Sequence, residues 1–225
     1  MSCCSIAFVP AAPLLIPSVA GGSADRDAEL RAAAVAAVRT ALAAAPDRVL
    51  VVAPTPVAYA GDGDLTWDFG GFGVERRVVD RRPRLPWQLG VGAWLLDECG
   101  WSGPRSWLGA VQGAEPPAEF PPGVFAVVAV GDGSARRSEK APGHLDPRAE
   151  AFDLRIAAAL RDGDVAALAT VDAGLATEVM CHGLPVWQWV SRLVDSQAAA
   201  ITAGGPTLHV APYGVGYFVE SWLLD

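Results

Sequence analysis

The strongest constraint on the fold is the apolar run Val124–Val130, which ends abruptly in a polar loop. Its β-branched residues and short length favour a strand buried on both faces, as in a parallel sheet. In open α/β sheets, ligands bind outside the carboxyl ends of the strands. The loop that follows is therefore the first candidate for a site, and its polar or adjacent residues are Asp132, Ser134, Ala135, Arg136 and Arg137.

A second strand, Arg48–Ala53, follows a helix predicted from about Ala24 to Ala45. Preceded by a first strand at Ser5–Val9, this makes a strand-helix-strand unit, which requires parallel strands. Apolar residues on the helix recur at helical spacing and mark its buried face: Leu30, Ala34, Val38 and Leu42. The first half of the chain is thus typical of the α/β class.

The remaining segments extend the same pattern. Helices are predicted at Trp87–Glu98, Pro147–Leu160 and Pro185–Ala203, and the two glycines of the first, Gly90 and Gly92, indicate close packing against the sheet. Thr207–Ala211 and Gly216–Leu223 are predicted to form a closing antiparallel hairpin. With no repeat and no linker, residues 1–225 are expected to form a single domain.

Residues 57–86 give a weaker signal. Gly61–Asp64 and Gly70–Gly73 are typical of turns, and Val74–Val79 is a candidate strand. Arginines are concentrated here, at positions 76, 77, 81, 82 and 84. Such a cluster in an acidic protein is either a solvated face with ion pairs or a patch for an anionic ligand.

Charge and composition restrict the classes of binding partner that the protein can have. The formal net charge is −8, which argues against nucleic-acid and anionic-membrane surfaces, since both require a basic face. Apolar residues make up 52% of the chain, yet no stretch is long enough to span a bilayer. The four cysteines lack a metal-binding spacing. We therefore expect a cytoplasmic protein with reduced thiols.

Several segments resemble one family. They are Phe8–Gly22, Gly131–Asp153, Ala159–Asp172 and the closing segment APYGVGYFVESW. In this order they are similar to the class III extradiol ring-cleavage dioxygenases of the B-subunit (LigB-like) type, in particular to a compact, degenerate, actinobacterial-type branch. The resemblance implies a three-layer α/β/α fold with a central mixed, mostly parallel sheet.

Active members of this superfamily hold Fe(II) with two His and one Glu, and use a further His as acid or base. At the matching positions this chain has Ala11, the segment containing Thr55, and Ala135 after the Gly131–Ser134 turn. None of these residues is a His. The resemblance therefore predicts the fold but argues against the family's chemistry, so no metal is expected.

The chain has three histidines, His144, His182 and His209, each of which is more simply a structural or surface residue. Glu178 and His182 are four apart, a spacing that places two side chains on one helical face. A relocated Fe(II) or Zn(II) site would need at least two of these four groups and Asp146 to converge, with Glu178, His182 and His144 as the fallback ligands.

Three functional hypotheses follow. The first is a non-catalytic protein with a pocket at the sheet edge that binds a small anionic ligand, lined by Ala11, Thr55, Asp132, Ser134, Ala135, Arg136 and Arg137. In the competing interpretation, Asp132 and Ser134 only cap the next element and the arginines are exposed. The second is an enzyme, either an extradiol dioxygenase with relocated ligands or a hydrolase or transferase. The third is an interaction subunit of an oligomer such as a homodimer, which exposed Trp67, Trp101 or Trp107 would favour.

Overall fold

The computed structural model describes residues 2–23, 25–74, 84–117, 120, 122–205 and 207–225. They form one sheet of eight strands: β1 (Ser2–Val9), β2 (Arg48–Pro54), β3 (Tyr59–Asp62), β4 (Arg105–Ala110), β5 (Val124–Val130), β6 (Ile201–Ala203), β7 (Leu208–Val210) and β8 (Tyr217–Leu224). The α-helices are α1 (Pro17–Ala20), α2 (Ala28–Leu42), α3 (Trp87–Glu98), α4 (Ala149–Asp162), α5 (Val165–Ala169), α6 (Ala173–Glu178) and α7 (Leu184–Gln197). Short 3₁₀ turns occupy Pro13–Leu15, Gly21–Ser23 and Gly70–Phe72. Within these ranges no helix combines the length and apolarity needed to cross a membrane.

The strands lie in the order β3-β4-β2-β5-β1-β8-β6, with β7 paired to β8 as well. The four central strands β4, β2, β5 and β1 are parallel, and the flanking strands are antiparallel to their neighbours. Strands β1 and β2 are parallel, as predicted, but do not touch each other. Strand β5 lies between them, so that Val128 pairs with Ala7 on one side and Val51 on the other.

The core has two halves, one on each face of the sheet. Phe125, Val127 and Ala129 of β5 pack among residues of α4 to α7, whereas Ala126, Val128 and Val130 pack among those of α2 and α3. Strand β5 is therefore apolar at every position because both of its faces are covered. The expected three-layer α/β/α arrangement with a mixed sheet and a parallel centre is confirmed.

Besides the earlier start of β1 at Ser2, element boundaries differ from the prediction most clearly in three places. Helix α2 begins at Ala28 rather than near Ala24 and ends at Leu42. The predicted helix to Ala203 is wrong in its last turns: α7 ends at Gln197, Ala198 takes a left-handed φ of 50°, and Ile201–Ala203 pairs with β8. Edge pairing suits the β-branched Ile201 and Thr202 better than a helix end.

The third difference lies near the other edge of the sheet. Tyr59–Asp62 forms β3 against β4, where the sequence indicated a turn from Gly61. The predicted strand Val74–Val79 and arginines 76, 77, 81 and 82 lie outside the described residues, apart from Val74 itself. Arg84 is described, and its guanidinium forms a 2.9 Å ion pair with Asp68.

Close packing of α3 on the sheet is confirmed at Gly92. A methyl group at this position would overlap Val51 Cγ1 and lie 3.2 Å from Val130 Cγ2. Gly90 instead faces Trp67 and Phe69 in the loop beyond β3. The helix can approach the parallel strands this closely only because residue 92 has no side chain.

We expect Gly92→Val to lower the free energy of unfolding by about 2–4 kcal/mol, because Val51 is β-branched and buried and cannot move aside. Chemical denaturation measures this. Gly71→Val is the matched control, since no atom lies within 4 Å of a methyl group there. An equal loss in both variants would contradict tight packing at Gly92.

Candidate functional site

A cavity of about 600 Å³ opens at the carboxyl ends of the four parallel strands. Each strand contributes a residue to its lining: Ala11 after β1, Thr55 after β2, Gln112 after β4 and Asp132 after β5. The remaining lining residues come mainly from α3 and from α6 with its connection to α7: Trp87, Gln88, Ala173, Ala176, Thr177, Met180, Cys181, His182, Leu184 and Pro185. The cavity lies where ligands bind in open α/β sheets.

Asp132 is the acidic group of the cavity. The backbone N–H of Ala11 donates to its Oδ1 at 2.8 Å, while Oδ2 receives no hydrogen bond from a described residue. Burial raises the pKa of this carboxyl to about 7, and the Ala11 N–H opposes the shift only in part. One carboxyl oxygen is thus left open in a poorly solvated place.

The main chain around Asp132 is fixed by a close approach of two loops. Its carbonyl accepts the Gly183 N–H at 2.8 Å and the Cys181 thiol at 3.6 Å. A methyl group on Gly131 would lie 2.8 Å from the Gly183 Cα, so neither residue can carry a side chain without separating the loops. This contact brings Cys181 and His182 to the cavity.

Ser134 and Arg137 lie outside the cavity lining and fix the loop through hydrogen bonds and ion pairs. The Ser134 N–H donates to Asp153 Oδ1 at 2.9 Å, and its hydroxyl donates to the Val179 carbonyl at 2.6 Å. Arg137 pairs at 3.0 Å with both Asp153 and Glu150. Burial raises the pKa of the enclosed Asp153 carboxyl, and the Ser134 N–H and Arg137 oppose that shift.

Arg136 and Ala135 also lie outside the lining. Arg136 donates to the Glu178 carbonyl at 2.9 Å and lies 3.7 Å from Asp146. Hydrogen bonds from Arg148 hold the pKa of Asp146 well below its usual range. Of the predicted pocket residues, the structure therefore brings together Ala11, Thr55 and Asp132, and places Ser134, Ala135, Arg136 and Arg137 in the loop that supports them.

The fallback metal ligands do not converge. Helix α6 ends at Glu178 and Met180 takes a left-handed φ of 56°, so the prediction that Glu178 and His182 share a helical face is wrong. Glu178 is held by Arg148 at 2.6 Å, and the exposed His144 interacts through Nδ1 with the Glu139 carbonyl. His182 alone of the three lines the cavity.

His209 does not line the cavity either, and its ring stacks on Phe218 with centroids 4.6 Å apart. Over the described part of the chain, no three His, Cys, Asp or Glu side chains are grouped as metal ligands. Ala11 and Ala135 have no ligating atom, and the Thr55 hydroxyl donates to the Val57 carbonyl at 2.7 Å. The residues present do not fit an Fe(II) centre of two His and one carboxylate.

Sequence reasoning missed much of the lining. Gln112 follows β4, Thr177 lies in α6, and Met180 and Cys181 lie in the connection to α7, and no sequence motif marks any of them. Trp87 is an exposed apolar residue of the lining, and its ring contacts Phe72 at 5.3 Å between centroids. Trp107 is buried in the core, and Trp67 and Trp101 are half-buried.

The pKa of Asp132 predicts a specific pH dependence of stability. Because the folded pKa of about 7 exceeds the unfolded value near 3.9, the folded state binds the proton more tightly, and stability falls as pH rises from about 4 to 7. In Asp132→Asn the amide still accepts the Ala11 N–H but does not ionise. We expect this variant to be more stable than the wild type by about 1–3 kcal/mol at pH 8, allowing for partial solvent screening, and equal to it near pH 4.

Urea denaturation between pH 4 and pH 8 provides the measurement. The control is Asp195→Asn, which alters an exposed carboxylate on α7 and should leave the pH profile unchanged. Parallel profiles for the wild type and Asp132→Asn would show that Asp132 is not desolvated in the folded protein.

Comparison with known proteins gives no assignment. No protein-family model matches the sequence, and a search of curated proteins found no match either. The cavity and its residues are therefore the basis for a functional proposal.

Proposed function

We propose that this protein is a non-catalytic binder of a small molecule, built on a LigB-like scaffold whose metal-binding positions have other residues. The observation that carries the proposal is the open Oδ2 of Asp132 in a cavity at the carboxyl ends of the parallel strands. Asp132 is half-buried, and its Oδ2 accepts no hydrogen bond from a described residue. Its charge is therefore poorly compensated, and a ligand that donates to this oxygen would stabilise the ionised carboxyl.

The dimensions of the cavity support this proposal. Its volume of about 600 Å³ falls in the range of small-molecule pockets. Most of its lining residues are apolar, and Ala11 is buried at the position where the resemblance implies a metal-binding His. A methyl group there leaves space for a ligand and offers nothing to a metal.

The charge of the ligand is a separate question. The arginines expected to hold an anion are occupied, since Arg137 pairs with Asp153 and Arg136 with the Glu178 carbonyl. Among the described lining residues there is no Arg or Lys. An anionic ligand remains an alternative that binding measurements have to separate from neutral and cationic ones.

Binding at this cavity is testable with a blocking variant. Thr177 is exposed at the cavity and its hydroxyl donates to the carbonyl four residues earlier, so Thr177→Phe should fill the space without unfolding α6. We expect small-molecule fragments that raise the melting temperature of the wild type to lose at least about 10-fold in affinity in this variant.

The matched control for blocking is Thr170→Phe. Thr170 is also exposed and makes the same type of hydrogen bond, to the Ala166 carbonyl, but it lies at a second cavity of about 470 Å³ and not at this one. Fragments that bind in the cavity at Asp132 should bind this control as they bind the wild type. Equal binding to both variants, or no fragment that binds the wild type, would contradict a ligand site in this cavity.

One observation favours a second candidate, an extradiol dioxygenase with relocated ligands: Asp132 and His182 line the same cavity. Two groups are fewer than a resident iron requires. We therefore expect no stoichiometric Fe(II) or Zn(II) in the purified protein after anaerobic loading, measured by elemental analysis with Ala11→His in parallel. Stoichiometric metal in the wild type would support this candidate and overturn the non-catalytic proposal.

A further inference from the structure

Around Asp132 and Thr55 the cavity presents hydrogen-bond acceptors, because the neighbouring amide, hydroxyl and thiol donors are used within the protein. The Thr55 hydroxyl donates to the Val57 carbonyl, the Cys181 thiol to the Asp132 carbonyl, and the Ala11 amide to Asp132 Oδ1. What remains for a ligand is Oδ2 of Asp132 and the lone pairs of the Thr55 hydroxyl. A group placed at this end of the cavity has to donate.

The charge at this end is negative and has no described counter-ion. The nearby arginine side chains interact with other groups. Arg137 pairs with Asp153 and Glu150, and Arg136 donates to the Glu178 carbonyl and pairs with Asp146. A desolvated carboxylate without a cationic partner is unfavourable, and a positively charged donor compensates it better than a neutral one.

Donors are found instead near the mouth. Trp87 and His182 are exposed and Gln88 is half-buried, and each has an N–H group at the cavity. Ala176, Met180 and Leu184 add apolar surface to the lining, and Ala176 and Leu184 are buried. The cavity therefore combines a carboxyl and acceptors at Asp132 and Thr55, an apolar wall, and exposed N–H donors at Trp87 and His182.

We infer that the cavity binds a small primary amine in its ammonium form, with the ammonium donating to Asp132 and Thr55 and the hydrocarbon part against Ala176 and Met180. An ammonium has three donors and no acceptor, so it matches a base that offers only acceptors. This inference rests on the proposed function and narrows it to a class of ligand.

The amine should bind in a pH-dependent way. Since burial raises the pKa of Asp132 to about 7, the carboxyl is protonated below that pH and no longer attracts a cation. The other titratable groups around it are Tyr217 of β8, Cys181 and His182, and Asp153, which lies behind Gly133 and is bound by Arg137. Burial raises the pKa values of Tyr217 and Cys181, so both stay neutral between pH 5 and 8.

Three probes with one hydrocarbon skeleton test the inference: cyclohexylmethylamine, cyclohexylmethanol and cyclohexanecarboxylate. Their affinities are measured by calorimetry at constant ionic strength. At pH 8 we expect the amine to bind at least about 10-fold more tightly than the alcohol and the carboxylate. Between pH 8 and pH 5 the affinity of the amine should fall by about 100-fold, while that of the alcohol stays within about 3-fold.

Asp132→Asn should remove both the preference for the amine and its pH dependence while still binding the alcohol. His182→Asn should retain the pH dependence, which separates the carboxyl from the imidazole. Equal binding of the alcohol or tighter binding of the carboxylate at pH 8 would overturn the amine inference and leave the small-molecule proposal standing. Failure of the amine to bind at about 50 mM would also overturn the inference, and the fragment screen with Thr177→Phe decides the proposed function independently.

Discussion

Strand β5 is the element on which the rest of the structure depends, because it hydrogen-bonds to β1 on one side and to β2 on the other. Both of its faces are covered by helices, and all of its residues after Val124 are buried and apolar. This burial fixes the position of the chain up to Val130. The first polar side chain after the strand, Asp132, therefore lies at the carboxyl edge of the sheet. The position of the candidate site is thus a consequence of how the centre of the sheet is packed.

Contacts beneath the loop after β5 fix its backbone, and the same loop carries Asp132, whose pKa is raised by burial. Asp153, enclosed beneath it, accepts the Ser134 N–H and pairs with Arg137. Hydrogen bonds between Gly133 and Gly216 and between Ala135 and Met180 tie the loop to both neighbouring segments. With its backbone secured by these contacts, the loop can keep Asp132 in a place where ionisation is unfavourable. Such stored destabilisation is common where a protein has to meet a ligand.

Much of the fold could be predicted from local pattern, since apolar runs and helical spacing report burial directly. The pattern identified β5 and the close approach at Gly92, but not β6, where only pairing with β8 decides between helix end and strand. For the site, the rule that ligands bind at carboxyl ends of strands located Ala11, Thr55 and Asp132. It could not show that the two arginines turn away from the cavity, because their partners are distant along the chain. Arg137 pairs with Asp153, 16 residues away, and Arg136 donates to the Glu178 carbonyl, 42 residues away.

We propose that methyl and hydroxyl groups occupy the positions where a LigB-like relative would have imidazoles, which changes what the cavity can recognise. A base with histidines would present both lone pairs and N–H groups, and could hold a metal that in turn attracts anions. The Ala11 amide donates to Asp132 and the Thr55 hydroxyl donates to the Val57 carbonyl, so at these positions the cavity offers acceptors to a ligand. The sign of the charge that fits there is thereby reversed relative to a metal centre. If the scaffold is LigB-like, loss of the metal ligands has therefore left a site with a different electrostatic preference rather than an empty version of the old one.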